Sequence, residues 1–411
     1  MLQVAIIGSG PSGCYLADAL ARQCPESKID VFDRLPTPFG LVRYGVAPDH
    51  QRTKQIERQL ASVFNRENVT FVGNIEIGRD ISVDELQQHY DLVILATGAF
   101  DDRQPPIDGL ELNGCYGAAE LVGWYNAHPD HQQAQPAIND TVAIIGAGNV
   151  ALDLARTLLT GSKHSVTDIA VEAASTLERA AVKTIHIIAR SPAQYAKFTS
   201  AELKELAELE DVCFKLASGR IPNPADLSLT PNADRNLKIL QQAFDDPEDA
   251  STEIHFHFDT SPLEIIGDNQ VEVLRVQHGS DESDLQVGTI VTATGFTTRK
   301  LNGVPYDAER GTFAHDNGFI GNNLYCVGWC KRGPQGVIPA NRADAMQLAK
   351  QLAEQTTAAD KPGYPALGLN GQASSFADWT LIDQHEKRGA CDQKPRKKLP
   401  TVEKMLRVIG R

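Results

Sequence analysis

Two short glycine-rich segments carry the chemistry this sequence offers most plainly. Gly8-Ser-Gly10-Pro-Ser12-Gly13 follows the β-branched run Val4–Ile7 and opens a helical pattern from Cys14 to Cys24. In a strand–turn–helix of this kind the first glycine permits the tight turn and the second lets a pyrophosphate approach the backbone. The third lets the helix pack close, and the helix N-terminus turns its N–H groups and positive dipole toward the phosphates. The next apolar run, Ile29-Asp-Val-Phe-Asp33, ends in an acid that can accept hydrogen bonds from a ribose diol. Gly146-Ala-Gly148-Asn149-Val150-Ala151 repeats the design with alanine in the third place, but the strand after it, Lys183–Arg190, ends in a base followed by Ser191. A carboxylate there would repel a 2′-phosphate, whereas a guanidinium pairs with it. The first loop is thus expected to take an adenine dinucleotide with a free ribose diol and the second to take NADP(H). The two signatures together predict FAD plus NADP(H). Arg190 as an ordinary surface arginine is the competing reading.

The elements that position these loops repeat as well. Val4-Ala-Ile-Ile-Gly8 returns as Val142-Ala-Ile-Ile-Gly146, and Leu92-Val-Ile-Leu-Ala-Thr-Gly98 returns as Ile290-Val-Thr-Ala-Thr-Gly295. Two openings and two closings, with strand and helix patterns alternating between them, predict an α/β fold of two Rossmann-like, three-layer dinucleotide-binding domains. The expected division is an FAD domain from residues 1–104 and 297–411, with an NADP(H) domain, 105–296, inserted. Residues 219–235, 244–252 and 357–375 are rich in turn formers and read as loops.

Bulk properties limit the function classes. A chain of 411 residues that is 42% hydrophobic and 22% charged reads as an ordinary globular protein with room for two or three cores. A net charge of −14 argues against a nucleic-acid binder, which needs surplus Lys and Arg. No apolar run is long enough for membrane insertion. A strand pattern beginning at Leu2 leaves no space for a leader, so the expected location is cytoplasmic, or an already processed organelle protein. Seven scattered cysteines include Cys326 and Cys330, whose spacing is not that of a redox Cys-x-x-Cys. Electrons must then leave a flavin for an external acceptor. His255 and His257 alternate along a strand pattern and face one side, but no further ligands gather near them in sequence, so no metal site is expected.

Longer motifs add a resemblance. Leu35-Pro-Thr-Pro-Phe-Gly-Leu41-Val-Arg-Tyr-Gly-Val-Ala-Pro-Asp-His50, Val122–Asn126, Gly148–Asp153 and Val327-Gly-Trp329-Cys-Lys-Arg-Gly-Pro-Gln-Gly336-Val337-Ile338 closely resemble segments of the adrenodoxin reductase-type ferredoxin–NADP reductases, bacterial branch. The similarity runs nearly end to end, including the tail Trp379–Arg411. It implies hydride exchange between nicotinamide C4 and flavin N5, then single electrons passed to a ferredoxin, or a flavodoxin, as partner. By position it implies FAD contacts for Ser12, Asp33, Leu41, Ile77, Trp329 and Gly336–Ile338. It implies NADP(H) contacts for Gly148, Asn149, Val150, Ala151, Arg190, Ser191 and Glu202, and assisting roles at the flavin–nicotinamide junction for His50 and Glu205. Each of the last has a plainer rival. Thr199-Ser-Ala-Glu202 is also a helix capping pattern, Glu205 could be a solvated residue on the same helix face, and His50 could be a turn residue.

The family commonly carries two arginines where this chain has Arg190-Ser191, so its NADPH preference is expected to be weaker. A basic docking patch is expected at Lys331-Arg332, at Lys394–Lys398 or, less strongly, at Arg235 and Lys238, although the tail charges could simply be a solvated face. Other acceptors (flavodoxin, a partner subunit, quinones) and a non-catalytic redox sensor binding both nucleotides are the alternative functions.

Overall fold

A computed structural model of the chain describes residues 1–160, 166–245, 250–369, 371–391 and 394–411. Two six-stranded sheets organise it. The first runs Phe319–Gly321, Leu324–Cys326, Leu92–Leu95, Gln3–Ile7, Lys28–Phe32, Val69–Val72, parallel except for the Phe319–Gly321 edge. The second runs Cys115–Gly117, Thr289–Thr292, Thr141–Ile145, Thr184–Ile188, Thr252–His257, Val212–Ser218, all parallel.

Strand alternation sorts the cores. Val4 and Ile6 face helices Pro11–Gln23 and Ile338–Gln355 through Leu16, Leu20, Leu348 and Leu352. Ala5 and Ile7 face the opposite layer with Leu86, Leu95 and Phe313, as a period of two requires. In the second sheet Val142 and Ile144 meet helix residues Leu154 and Leu158. Ala143 and Ile145 face a three-stranded antiparallel sheet, Thr260–Ile266, Val273–His278 and Asp281–Gln286, which the sequence patterns did not single out.

The chain crosses between sheets after Leu95 and returns after Thr292, and the two crossings pair as a short antiparallel ribbon, Asp101–Asp102 with Phe296–Thr297. The Asp102 carboxylate accepts from the N–H groups of Ala119 and Glu120 at 2.8 and 3.3 Å, so the crossing also caps helix Ala118–Tyr125.

One loop expectation is corrected. Within 219–235 and 244–252 the structure has helix Pro231–Asp245, whose Ala233, Asn236, Leu237 and Leu240 are buried at helical spacing. Residues 246–249 of that expectation lie outside the described residues.

Candidate functional site: two glycine turns and the junction between them

The echoed motifs have one structural meaning. Gly8 N–H bonds Phe32 C=O at 2.7 Å and Gly146 N–H bonds Ile188 C=O at 2.9 Å. At both glycines φ is positive (+111° and +138°), and an added Cβ would strike the carbonyl oxygen of Ala96 at 2.4 Å or of Ala293 at 2.3 Å. The Ala-Thr-Gly echo therefore marks the neighbouring strand end against which each first glycine packs. Gly13 is equally closed, since a Cβ would sit 1.9 Å from Gly8 oxygen. Gly10 and Gly148 are the reverse, with nothing within 4 Å. Each turn thus offers an open cradle at a helix N-terminus, the space a pyrophosphate needs.

Around the first cradle, Asp33 accepts from Ser9 Oγ (2.5 Å), Ser9 N–H (3.1 Å) and Leu35 N–H (3.0 Å). Burial pushes its carboxyl pKa up against those bonds. Phe39 and Gly40 both have positive φ (81° and 48°), Phe39 N–H bonds Ser9 C=O, and a Gly40 Cβ would lie 3.3 Å from Gly10 Cα. This holds the segment that starts helix Leu41–Tyr44 over the cradle. A Gly328 Cβ would meet Ser12 Oγ at 2.1 Å, so Gly328-Trp329 closes against the first helix. The Trp329 indole packs against the second sheet's core, and its buried Nε1 has no partner among the described residues. Ile77 lies in the core with Ile7, Leu95 and Cys330. Gly336 (φ +77°) and Val337 are exposed at the start of the helix that Ile338 opens.

At the second cradle, Asn149 Oδ1 accepts from Thr199 N–H at 2.7 Å, Val150 is half-buried and Ala151 is buried. Arg190 is exposed, and its guanidinium makes no hydrogen bond or ion pair among the described residues; Ser191 is half-buried beside it. Thr199 caps helix Ser200–Ala207 through the Glu202 N–H, but the reciprocal bond of a capping box is absent because Asn149 takes the Thr199 N–H. The Glu202 carboxylate is thereby released, and its buried Oε2 has no hydrogen-bond partner among the described residues.

That oxygen lies 3.8 Å from His50 Nε2. His50 Nε2 is 2.8 Å from Glu205 Oε2 and 2.8 Å from Arg156 Nη2, and Nδ1 is 3.9 Å from Asp153. One ring nitrogen cannot serve both close neighbours: protonated, it donates to Glu205; unprotonated, it accepts from Arg156. Burial alone would lower the His50 pKa, yet Asp153, Glu205 and Glu202 hold it above its ordinary value. Burial, reinforced by Glu202, pushes the Asp153 carboxyl up even with the Arg156 guanidinium in contact. Ligand atoms of His50, Asp153 and Glu202 lie within 4.8 Å of one another, but Arg156 supplies the positive charge among them and also pairs with Asp49. Sequence reasoning brought forward His50, Glu202 and Glu205 and missed Asp153, Arg156 and Asp49. Asp153 was inside a quoted motif, with Arg156 one helical turn on.

Two other expectations change. The Lys394–Lys398 run is not a free basic patch. Arg396 pairs with Glu57 and Asp383, and the fully buried Lys398 ammonium contacts Asp168 at 2.9 Å and Asn126 Oδ1 at 3.1 Å. Lys54 meets the same Asp168 at 2.6 Å and the same Asn126 at 3.0 Å, while Arg43 and Glu386 form a wholly buried pair nearby. Lys331 and Arg332 are likewise engaged, both by Asp344. His255 and His257 do share a face, where His186 joins them across the strand with Nδ1 3.0 Å from His257 Nε2. Burial lowers His186 to about 4 and His257 to about 3, which keeps these two rings neutral.

Comparison with known proteins fixes the family. Residues 2–219 match the pyridine nucleotide-disulphide oxidoreductase profile. Over 98% of the chain it is 36% identical to cindoxin reductase of Citrobacter braakii, covering 90% of that protein. Over 99% it is 34% identical to human mitochondrial NADPH:adrenodoxin oxidoreductase, covering 92%. The chain belongs to the adrenodoxin reductase-type family. Its fold is that of another member, Mycobacterium tuberculosis FprA solved in complex with NADPH, with a TM-score of 0.91 over 99% of both chains at 32% identity. Thioredoxin reductase from Lactococcus lactis shares the fold alone, at TM-score 0.52 and 17% identity. The disulphide in the broader family's name has no Cys-x-x-Cys to match it here, and Cys326 and Cys330, four apart, are free thiols. Cys326 and Cys330 are buried, and burial pushes both thiols up, the reverse of what a redox pair needs.

Proposed function

We propose that the protein is an NADPH-dependent flavoprotein reductase that carries FAD at Gly8–Gly13 and NADP(H) at Gly146–Ala151 and delivers electrons to a ferredoxin-type iron–sulfur protein. The observation that carries this is the pair of open cradles at Gly10 and Gly148, built alike but with Asp33 after the second strand of one and Arg190 after that of the other. The residues fit both groups. Gly10 leaves room for a pyrophosphate, Asp33 for a ribose diol, and the orphan Trp329 Nε1 offers a buried donor. FAD, when bound, takes a hydride from the nicotinamide and returns the electrons singly.

The chain's own part is positioning. Ser12, Leu41, Ile77 and the Trp329 and Gly336–Ile338 segment are the proposed FAD contacts, with Gly8, Gly10, Gly13 and Asp33. Gly148–Ala151, Arg190, Ser191 and Glu202 are the proposed NADP(H) contacts. His50 and Glu205, with Arg156 and Asp153, hold a proton and a charge balance where the units meet. Residues 1–104 with 297–411 and residues 105–296 are taken as the two nucleotide-binding units, a division supported by sheet membership and the paired crossings. No described helix is long and apolar enough to cross a membrane, and a cytoplasmic setting is part of the proposal, supported by free thiols at Cys14, Cys24, Cys115, Cys326, Cys330 and Cys391.

The test is anaerobic. Purified protein should be yellow and release FAD on heating. NADPH should bleach it, and a ferredoxin should restore the colour while being reduced. Release of FMN, or bleaching with no transfer to any one-electron acceptor, would overturn the reading.

A further inference from the structure

The segment between Arg190 and helix Ser200–Ala207 is pinned onto the second glycine turn. Lys197 N–H donates to Ala147 C=O at 2.9 Å, and Thr199 N–H donates to Asn149 Oδ1 at 2.7 Å. Between them Phe198 is fully buried, and its carbonyl is held by the side-chain amides of Asn232 and Asn236 at 3.0 and 2.9 Å. With Phe198 fixed inward and its neighbours tied to the turn, Lys197 is the residue left exposed at the rim of the open Gly148 cradle. Its ammonium makes no hydrogen bond or ion pair among the described residues. What sets it apart from other exposed lysines is its place, on a backbone hydrogen-bonded to Ala147 in the glycine turn itself. A pyrophosphate in the cradle brings negative charge that backbone N–H groups only partly balance. A long, flexible ammonium from a pinned backbone is suited to balance the rest.

We propose that Lys197 is a nucleotide-binding residue of the second glycine turn, its ammonium pairing with the pyrophosphate of the nicotinamide cofactor. The proposal rests on that turn holding NADP(H) and adds a contact common to NADPH and NADH, whereas Arg190 contacts only the former. It restores charge at a site where Ser191 supplies none.

The test uses the FAD-loaded protein at low salt, with ferricyanide as acceptor. In Lys197→Ala, kcat/KM should fall about fivefold for NADPH and NADH alike, mainly through KM, with Lys197→Arg recovering most of it. Inhibition by ADP-ribose should weaken by a similar factor, while inhibition by 2′-AMP, which has no pyrophosphate, should not change. The wild-type advantage should shrink as salt rises. An unaltered flavin spectrum confirms the variant's fold. Unchanged kcat/KM with both nucleotides would overturn the proposal. So would a loss confined to NADPH and 2′-AMP, which would put the charge on the 2′-phosphate. If Arg190→Ala shows no NADPH-selective loss and 2′-AMP does not inhibit the wild type, the placement of NADP(H) itself fails, whatever Lys197 does.

Discussion

Asp33 and Arg190 follow equivalent strands, one and two residues past the strand ends that bond glycine turns of the same build, so side-chain charge separates two otherwise similar sites. Arg190→Ala should weaken NADPH by roughly 10- to 150-fold, the range for losing a charged hydrogen bond, and leave NADH nearly unchanged. Ser191→Arg should raise the NADPH-to-NADH ratio. Steady-state kinetics with both nucleotides checks each, and an equal loss for both in Arg190→Ala would sink the 2′-phosphate role.

His50 carries a pH prediction. Its folded pKa is raised above the ordinary value of about 6.5. The stabilisation from its charged contacts is therefore complete below that value and is lost as pH rises through the raised one. The histidine C–H titration, followed by NMR, should have its midpoint above 6.5 and move down in Glu205→Gln, because burial then has less opposition. An unmoved midpoint would remove Glu205 from the junction. At this scale the sequence was ambiguous wherever one pattern served two purposes. Thr199–Glu202 read as a capping box, and only the competing Asn149 bond shows that the glutamate is left over for the junction.

At the scale of elements, the glycines divide into closed and open positions, and the two kinds should fail differently. Gly13→Ala forces a Cβ onto Gly8 oxygen and should cost both folding and flavin. Gly10 has ordinary backbone angles (φ −69°) and open space. Gly10→Ala should fold with nearly native thermal stability as apoprotein yet retain much less FAD, as read from flavin absorbance per chain. Equal flavin content in Gly10→Ala and wild type would show that no cofactor approaches there. Strand–turn–helix units were legible because buried parallel strands read as unbroken Val/Ile/Leu runs. Helix Pro231–Asp245 was not, since its exposed face carries Asn, Asp and Pro, residues that speak for turns, while its buried residues are few. The antiparallel sheet escaped notice because its outer strand, Asp281–Gln286, is exposed and polar along nearly its whole length.

At the scale of the molecule, the basic tail is an internal fastening. Burial alone would raise the Asp168 carboxyl, but Lys398 and Lys54 hold it well below the usual range. Burial, with Lys54 and Arg43 nearby, pushes the Lys398 ammonium well down despite Asp168 against it. Such a network contributes little net stability but is costly to break. Asp168→Asn strands two buried ammonium groups and should cost about 3–5 kcal/mol in denaturant unfolding. Lys398→Met, which leaves Lys54 with Asp168, should cost clearly less. Equal costs would mean that Lys54 alone does not satisfy the acid. Because the folded pKa of Asp168 is depressed, its contribution holds above the ordinary carboxylate range near 4 and fades as pH falls below it. Composition made the tail look like a surface, and two of the carboxylates that claim it, Glu57 and Asp168, lie hundreds of residues earlier, beyond the reach of any local pattern.

Helix Ala118–Tyr125 joins two of these features. Its first turn is capped by Asp102 in the paired crossing strands, and just past its last turn Asn126 receives Lys54 and Lys398. Eight residues make a rod of about 12 Å, with the paired crossing at one end and the lysine cluster at the other. Asn126 and Asp168 follow the first crossing, whereas Lys54 precedes it and Lys398 comes after the return, so this cluster joins stretches of chain on both sides of the paired crossing. The tail of the chain and its first hundred residues are therefore both fastened, through two ammonium groups, to Asn126 just past that helix and to Asp168.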